Sequence, residues 1–399
     1  MLKSLLTLSL LALAAHAQSQ TQTPILHTGE LLYKIRPERL SDVSVLNSFG
    51  ITPSRTSSWL PVQLLRPALG VDLFKLRDSM LKSQAFEYVV FNTVETEPEE
   101  DEASSVDLNN QWHHDAIQSA ESWDYNAGSG DVVVAVCDSG IQADHEDLMG
   151  RVLPGWNLVG NNNENTTSTN HGTHVAGLIG ATLNEVGVAG VAPNIKLLPL
   201  RISDTNGSTT MKRITDCIML AADRGAKVVN VSFTGVESAA VAAAGKYANE
   251  KGTLVVYSAG NHGKLRSESS YPRSPHVVAV GGTNRTDKRW TWRKFLRSGG
   301  SNYGPFVDIS APGLDLTSTA VYNVTNPQAV KYRTGSGTSY SAPIVSGVAA
   351  LIYSVNPRFT PQDVENILLE SADKIGVSGL GAGRVNALKA VRLAIQRAQ

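Results

Sequence analysis

A chain of 399 residues with 42% hydrophobic and 18% charged residues has the balance of a globular protein and is longer than one small domain needs. The formal net charge of −1 excludes the strongly basic surface that recruits nucleic acid or anionic membranes, so we expect no nucleic-acid partner. Two cysteines are too few for a disulfide-rich scaffold. Partners must therefore be recognised by local sites.

The first residues of the chain have the pattern of a secretory signal peptide. Lys3 precedes a mostly apolar run over residues 5–15, and residues 15–17 have the sequence Ala-His-Ala that is typical of a cleavage site. The apolar run is too short to span a bilayer, and a buried N-terminal helix is the less favoured alternative. We therefore predict a signal peptide over residues 1–17, secretion to the extracellular space and no membrane anchor.

Residues 18–92 have the pattern of a small α/β domain. Strands are predicted over residues 30–35 and 86–91, and the apolar spacing predicts a helix over residues 72–83. Residues 93–106 follow as an acidic segment that contains a proline, which is typical of a solvated linker. Because extended and exposed backbone fits a protease cleft, we predict that the chain is cut in this linker.

From residue 111 onward, strand and helix patterns alternate. Apolar, β-branched runs predict strands over residues 131–137, 196–200, 227–233 and 253–258, and helices are predicted over residues 173–183, 211–224 and 238–251. This alternation predicts an α/β fold with a parallel sheet between helices. In such folds the functional side chains lie where the strands end.

The two cysteines fall in different predicted elements. Cys137 ends an apolar strand, and Cys217 lies in a helix. They could form one bridge, but the sequence favours two buried free thiols that pack as small hydrophobic side chains. Neither stands beside a partner that would make it a nucleophile.

Two residues at element ends are candidates for an acid and a base. Asp138 follows an apolar strand and is turned at once by Ser-Gly, so it could orient an imidazole. His171 stands at a helix start and is the candidate base. His174 lies three residues later, whereas zinc-protease helices place their histidines four apart with a glutamate between them, so a zinc site is disfavoured.

A nucleophile and an oxyanion donor complete this set. Ser339 follows a glycine-rich loop and precedes an apolar stretch over residues 344–355, which places it at the start of a buried helix. A helix N-terminus stabilises negative charge, and the backbone N–H of Ser339 can donate to a substrate oxygen. Asn261 follows another strand and is the candidate side-chain donor.

Residues 138–140 (DSG), 171–177 (HGTHVAG) and 337–339 (GTS) resemble the three active-site motifs of the subtilase family, in its order Asp, His, Ser. The resemblance implies a subtilisin-like three-layer fold over residues 107–399. It also implies that Asp138, His171 and Ser339 form a catalytic triad that works through an acyl-enzyme, with Asn261 and Ser339 as the oxyanion hole.

The same resemblance suggests a secreted serine endopeptidase that acts on polypeptides as a monomer. Residues 18–92 are similar in position, size and strand pattern to the inhibitory propeptide of the family. They would serve as intramolecular chaperone and inhibitor until self-cleavage between residues 92 and 107.

Subtilases bind the substrate backbone as an extra strand. The positions implied for substrate binding are two edges and a pocket: Ser208, Thr209, Ser232, Phe233, Thr234, Ala259, Gly260, His262 and Ser270. Thr234 stands where glycine is frequent in the family, and His262, Lys264 and Arg266 bring basic groups near the pocket. We expect a broad, mainly apolar preference that tolerates acidic side chains.

The resemblance also implies structural calcium, a hard ion that prefers oxygen ligands. The implied ligands are Asp147, Thr182, Asn184, Val186, Val188 and, by a loose alignment, Asp107. No organic cofactor is implied. One further departure from the family is Tyr340-Ser341 after the nucleophile, where Met-Ala is usual.

Two other function classes compete with an active peptidase. A binding or regulatory protein could keep the fold without turnover, but all three triad positions and Asn261 are retained. A nucleotide-binding α/β protein would need a glycine-rich phosphate loop after its first strand, and residues 138–140 do not supply one.

Overall fold

The structure is a computed structural model that describes residues 26–52, 60–97, 108, 111–164, 167, 169–294, 297–326 and 328–399. The predicted signal peptide, residues 98–106 of the predicted linker and the predicted ligand Asp107 lie outside the described residues. Two parts of the chain follow one another, a small N-terminal unit and a larger domain.

The N-terminal unit is an antiparallel sheet with helices. Its elements are β1 (His27–Ile35), a 3-10 turn (Pro37–Arg39), α1 (Val43–Ser48), β2 (Gln63–Leu65), α2 (Leu73–Lys82) and β3 (Phe86–Thr96). Strand β1 lies between β2 and β3. Helix α2 begins where the Asp72 carboxylate accepts the N–H groups of Phe74 and Lys75, which confirms the predicted helix.

The larger domain is built on a parallel sheet. Its strands are β4 (Val133–Asp138), β5 (Trp156–Asn157), β6 (Lys196–Arg201), β7 (Ser208–Thr210), β8 (Val228–Val231), β9 (Leu254–Ser258), β10 (Val278–Thr283), β11 (Thr291–Lys294), β12 (Arg297–Gly300), β13 (Ile309–Pro312), β14 (Leu316–Thr319) and β15 (Tyr332–Gly335). In the described part of the chain, seven of these form one sheet in the order β13-β10-β9-β8-β4-β6-β5, and every neighbouring pair in it is parallel.

Helices cover both faces of this sheet. They are α3 (Trp112–Ile117), α4 (Ser119–Trp123), α5 (His171–Gly180), α6 (Met211–Asp223), α7 (Ala239–Glu250), α8 (Thr338–Val355), α9 (Pro361–Ser371) and α10 (Ala387–Ala398). Val134 and Val136 of β4 pack in one apolar cluster with α5 and α8, and Ala135 packs in the other with α6 and α7. The alternation of side chains along a strand produces these two cores, and the predicted three-layer α/β fold is confirmed.

Helix α8 runs through the centre of the first cluster. Among the described residues, it is the one helix with the length and apolar composition to cross a membrane, and nearly all of its side chains are buried inside the protein. Its apolar character therefore reflects its place in the core.

The N-terminal sheet buries both of its faces. Leu31 and Tyr33 pack with α1 and α2, whereas Leu32, Tyr88 and Val90 belong to the cluster that contains α6 and α7 of the larger domain. The unit is thus docked on the larger domain through an apolar surface. Such a surface is stabilised mainly by removal of apolar area from water.

Strand β3 differs from its prediction at its C-terminal end. It continues to Thr96 and pairs antiparallel with β7, so that Glu95 lies opposite Thr209. The prediction of a solvated linker is therefore wrong for residues 93–96. They continue the strand because the edge of β7 supplies hydrogen-bond partners for the backbone of residues 94–96.

Cys137 and Cys217 correct a second expectation. They are joined in a disulfide with a Cα–Cα distance of 6.0 Å, and not two free thiols as the sequence favoured. Helix α6 lies across the sheet face onto which Cys137 points, and this brings the two side chains together. The separation is within the range that a disulfide spans.

Candidate active site

Asp138 is the last residue of β4, the strand between β8 and β6 in the sheet. Its side chain is fully buried. The carboxylate oxygen Oδ1 accepts the backbone N–H of Ser139 at 2.7 Å and lies 2.8 Å from Nδ1 of His171, and Oδ2 lies 3.0 Å from the same nitrogen. A buried carboxylate held in this way orients an imidazole ring.

His171 begins helix α5 directly beside this carboxylate. With Nδ1–H donating to Asp138, the neutral ring has Nε2 as its basic nitrogen. Gly172 is required for the approach, because a Cβ there would lie 3.1 Å from Oδ1 of Asp138 and would overlap the carbonyl oxygen of Gly140. The backbone N–H of Gly172 donates to Oγ of Ser139 at 2.9 Å and ties the helix start to the strand end.

Ser339 is the second residue of α8 and is also buried. Pro343, four residues later, has no N–H to donate to the Ser339 carbonyl. The hydroxyl of Ser232 takes that role and donates to this carbonyl at 2.8 Å. Ser232 accepts in turn from Asn230 Nδ2 at 2.9 Å, so the hydrogen bond lost to proline is replaced by one that anchors the serine.

Asn261 lies beside Ser339 at the end of the loop that follows β9. Its Oδ1 accepts from the backbone N–H of Thr338 at 2.9 Å and from the Thr338 hydroxyl at 2.7 Å, which orients the amide. A Cβ placed on Gly337 would lie 2.9 Å from Ser339 Oγ and 3.1 Å from Asn261 Nδ2. Ser339 Oγ and Asn261 Nδ2 thus both lie beside Gly337, so the amide N–H stands near the hydroxyl that would attack a carbonyl carbon.

Tyr340 and Ser341, which depart from the family pattern, are accommodated at the start of α8. The Tyr340 ring lies 4.3 Å from that of His174 and 5.7 Å from that of His171, centroid to centroid. Ser341 Oγ donates to the carbonyl of Pro312 at 3.0 Å. The larger and more polar side chains are therefore packed and hydrogen-bonded without displacing Ser339.

The predicted substrate edge Ser208–Thr209 carries an extra strand, and this strand belongs to the chain itself. Val94, Glu95 and Thr96 of β3 pair with β7, and the backbone N–H of Glu97 donates to the carbonyl of Gly207 at 2.8 Å. Asp138, His171 and Ser339 are each at most 1% exposed. In this structure a substrate can reach them only if the segment is displaced.

Glu97 is a site residue that the sequence analysis missed. Its Oε1 accepts from the hydroxyls of Ser203 at 2.8 Å and Thr169 at 3.1 Å. One ligand atom each of Glu97, Asp138 and His171 lie within 4.8 Å of one another. Burial raises the pKa of Glu97, His171 opposes this rise and Asp138 adds to it. Glu97 lies in a run of acidic residues, and nothing in that run distinguishes it from its neighbours, so the sequence did not predict its contact with the triad.

The second predicted edge, residues 232–234, contacts both the triad and the Glu95 side chain. Phe233 is buried with its ring centroid 6.1 Å from that of His171. The Thr234 hydroxyl is hydrogen-bonded to the Glu95 carboxylate. Ser232, which anchors Ser339, is fully buried and therefore supports the nucleophile.

The predicted pocket residues divide into two groups. Gly260 donates its N–H to the Thr338 hydroxyl at 3.0 Å, and Ala259 accepts from Asn302 Nδ2 at 2.9 Å, so both lie beside the loop that carries Ser339. His262 is exposed as a residue, but its ring is partly desolvated by the protein around it. This desolvation and the charges of Arg266 and Lys264 lower its pKa. Ser270 is exposed in a turn with Ser267, and its place at the pocket base stays a prediction.

The residues predicted to bind calcium form a cluster away from the triad. Asp147 is fully buried, and its carboxylate accepts from Asn184 Nδ2 at 3.2 Å and from the Val188 backbone N–H at 2.9 Å. The backbone N–H of Thr182 donates to the Asp147 carbonyl at 2.8 Å, and Val186 N–H donates to Asn184 Oδ1 at 3.1 Å. The structure thus brings five of the six predicted ligands together.

The chain is similar in sequence to known serine proteinases. A family model described as the subtilase family matches residues 129–387, more than half of the chain. The chain is 39% identical over 282 residues to a thermophilic serine proteinase of Bacillus sp. (strain AK1), covering 68% of this chain and 64% of that protein. It is 37% identical over 287 residues to thermitase of Thermoactinomyces vulgaris, covering 71% and 96% respectively.

Solved structures give the same result. A protease of Pseudoalteromonas arctica PAMC 21717 aligns with a TM-score of 0.63 at 30% identity, covering 72% of this chain and 97% of that one. Fervidolysin from Fervidobacterium pennivorans, described as a keratinolytic enzyme related to subtilisin, aligns with a TM-score of 0.72 at 24% identity, covering 94% of this chain and 62% of that one. The second likeness concerns the fold alone.

Proposed function

Because the chain belongs to the subtilase family of serine endopeptidases, we propose that it hydrolyses peptide bonds through Asp138, His171 and Ser339. The observation that carries the proposal is the 2.8 Å contact of His171 Nδ1 with a fully buried Asp138, together with the placement of Ser339 Oγ and Asn261 Nδ2 beside Gly337 at the start of α8. This is the arrangement that acyl transfer by a serine needs.

In the proposed reaction, Ser339 Oγ attacks the carbonyl carbon of the scissile bond and His171 Nε2 takes its proton. Asp138 stabilises the imidazolium, and Asn261 Nδ2 donates to the oxyanion together with the Ser339 backbone N–H. His171 then protonates the departing amine, which leaves an acyl-enzyme on Ser339. Water, deprotonated by His171, releases the acyl product.

Covalent labelling of the nucleophile tests this function. A fluorophosphonate probe applied to the processed protein should modify Ser339 and abolish hydrolysis of casein, because such probes label a serine that is activated by a histidine base. Peptide mapping by mass spectrometry locates the adduct. The variant Ser341→Ala, which alters the neighbouring buried serine, is the matched control and should still be labelled. An adduct on any other serine would contradict the assignment.

We also propose that the protein is exported by residues 1–17 and made as a zymogen. The segment Val94–Thr96 supports inhibition by the N-terminal unit, because it occupies the β7 edge that a substrate strand would use. Glu97 is the last described residue of this segment and has a carboxylate oxygen within 4.8 Å of ligand atoms of Asp138 and His171, so we place the self-cleavage beyond Glu97, within residues 98–106. The freed unit then acts as inhibitor until it is degraded or leaves.

A structural calcium ion is proposed at Asp147. Burial raises the pKa of this carboxyl group, and its carboxylate accepts from the neutral N–H groups of Asn184 and Val188. A desolvated carboxylate beside amide and carbonyl oxygens fits a hard metal ion. Asp147, the amide oxygen of Asn184 and the carbonyls of Thr182, Val186 and Val188 would hold it and stiffen the loop after α5.

Chelation is the test of this metal site. In the inactive variant Ser339→Ala, a calcium chelator should lower the melting temperature by roughly 5–10 °C, as expected when a ligand at about 100 times its Kd is removed. Asp147→Asn should abolish that calcium-dependent shift, whereas Asp144→Asn, which alters an exposed acid of the same loop, should keep it. A melting temperature that does not respond to calcium in either form rules the site out.

A further inference from the structure

Two glutamates at the C-terminal end of the N-terminal unit point into the larger domain. Glu95 and Glu97 stand at alternate positions of the extended chain and are half-buried, whereas Thr96 between them is exposed. Alternate residues of a strand point to the same side. The surface of the larger domain beneath this strand end therefore contacts two carboxylates, which are separated in the sequence by Thr96.

The Glu97 side chain accepts hydrogen bonds from two neutral hydroxyl groups and packs against a glycine. Both hydroxyls that it meets, those of Ser203 and Thr169, donate to the same oxygen, Oε1. Gly207 forms the wall, since a Cβ there would lie 3.0 Å from Oε2 and 3.1 Å from Cδ of Glu97. The site matches the length of a glutamate side chain and offers donors where its terminal oxygen lies.

The Glu95 side chain has a similar contact. One carboxylate oxygen accepts from Thr93 of its own segment at 2.7 Å, and the other is bound by the Thr234 hydroxyl of the larger domain. Thr234 stands where glycine is frequent in subtilases. This departure supplies a hydroxyl that glycine could not.

We propose that the peptidase prefers substrates with glutamate or glutamine at two positions on the N-terminal side of the bond it cuts, the positions that Glu95 and Glu97 occupy in this structure. Thr169 and Ser203 would bind the side chain at the position of Glu97, and Thr234 would bind the side chain at the position of Glu95. The inference rests on the proposed function, and it assumes that substrates bind as the chain's own segment does. Because the donors are neutral hydroxyls, they recognise a terminal oxygen rather than a charge. Glutamine should therefore replace glutamate, whereas leucine should not.

Matched peptides with the sequence of residues 90–107 test this selectivity on the processed protein. Replacing Glu97 by leucine should lower kcat/KM for cleavage beyond that position about tenfold, the size expected for the loss of one or two hydrogen bonds. Replacement of Glu95 by leucine should lower it about threefold by the same reasoning. Glutamine at either position should keep the value within about threefold of the parent.

Enzyme variants complete a double-mutant cycle. Thr169→Val/Ser203→Ala should lower kcat/KM about tenfold on the parent peptide and leave it unchanged on the peptide with leucine at position 97. That second peptide also shows that the variant is folded and active. Thr205→Val, which alters an exposed hydroxyl of the same loop, is the control and should behave as the wild type on both peptides.

The outcomes separate this proposal from the proposed function. If the wild type cuts the leucine peptides as fast as the parent, or if the variant loses activity equally on both, the selectivity is overturned while the peptidase function stands. If the wild type cuts none of the peptides and no casein, the proposed function fails and the selectivity fails with it. If the leucine and glutamine peptides show the same loss of kcat/KM, the enzyme recognises the negative charge of glutamate, which also overturns the proposal.

Discussion

Replacing Ser339 by alanine should lower kcat for peptide hydrolysis about a million-fold, a magnitude measured for the catalytic serine of a subtilisin. The residual rate would come from Asn261 and from substrate binding, which the substitution leaves in place. The change removes one oxygen from a side chain whose backbone is held by Ser232, so the fold should be retained. Initial rates on casein or a fluorogenic peptide measure the loss after the variant has been cut within residues 98–106 by an added protease that is then inactivated, because the attached N-terminal unit would itself keep substrate from the site.

The same variant should accumulate as an unprocessed precursor. If the chain cuts itself beyond Glu97, loss of the nucleophile also stops maturation, and the N-terminal unit stays covalently attached. Electrophoresis and N-terminal sequencing distinguish the precursor from the mature form. Ser341→Ala is the control, since it alters a buried serine two residues away that is bonded to Pro312 and should mature normally. Processing that continues in Ser339→Ala would disprove self-cleavage by this serine.

Removing the disulfide should cost the larger domain about 4 kcal/mol in free energy of unfolding. The bridge closes a loop of 80 residues, and the conformational entropy that the unfolded chain gains when a loop of this length is opened is worth about that much. For a domain of this size, the loss should lower the melting temperature by roughly 10 °C. The double variant Cys137→Ala/Cys217→Ala, made in the inactive Ser339→Ala background to prevent autolysis, measures it by thermal or urea denaturation.

Reduction provides an independent control for this prediction. A reducing agent should lower the melting temperature of the parent protein by a similar amount and leave the double variant unchanged, since no other cysteine is present. Thiol titration of the denatured, non-reduced parent should find no free thiol. Two titrating thiols, together with an unchanged melting temperature after reduction, would mean that the cysteines are unpaired, as the sequence alone favoured.

The sequence by itself determined the positions around which the candidate site is built. Asp138 follows an apolar β-branched run, His171 begins a stretch of small and apolar residues, and Ser339 precedes a long apolar stretch. Side-chain periodicity over ten or so residues is a local property, so it can be recognised before the fold is known. The central strands and the helices that cover them were predicted for this reason. Strands β10 and β13 and helices α9 and α10 lie outside those predictions.

Only the tertiary structure decided which distant segments meet. Cys137 and Cys217 are 80 positions apart, and their pairing depends on how α6 crosses the sheet face. Likewise, β3 reaches β7 only because the small N-terminal sheet docks through its second apolar face, and this docking carries Glu97 to His171. Such contacts depend on register and on the relative placement of whole elements, which no local pattern of residues encodes. The chemistry of the site was therefore visible in the sequence, and the segment that covers it was not.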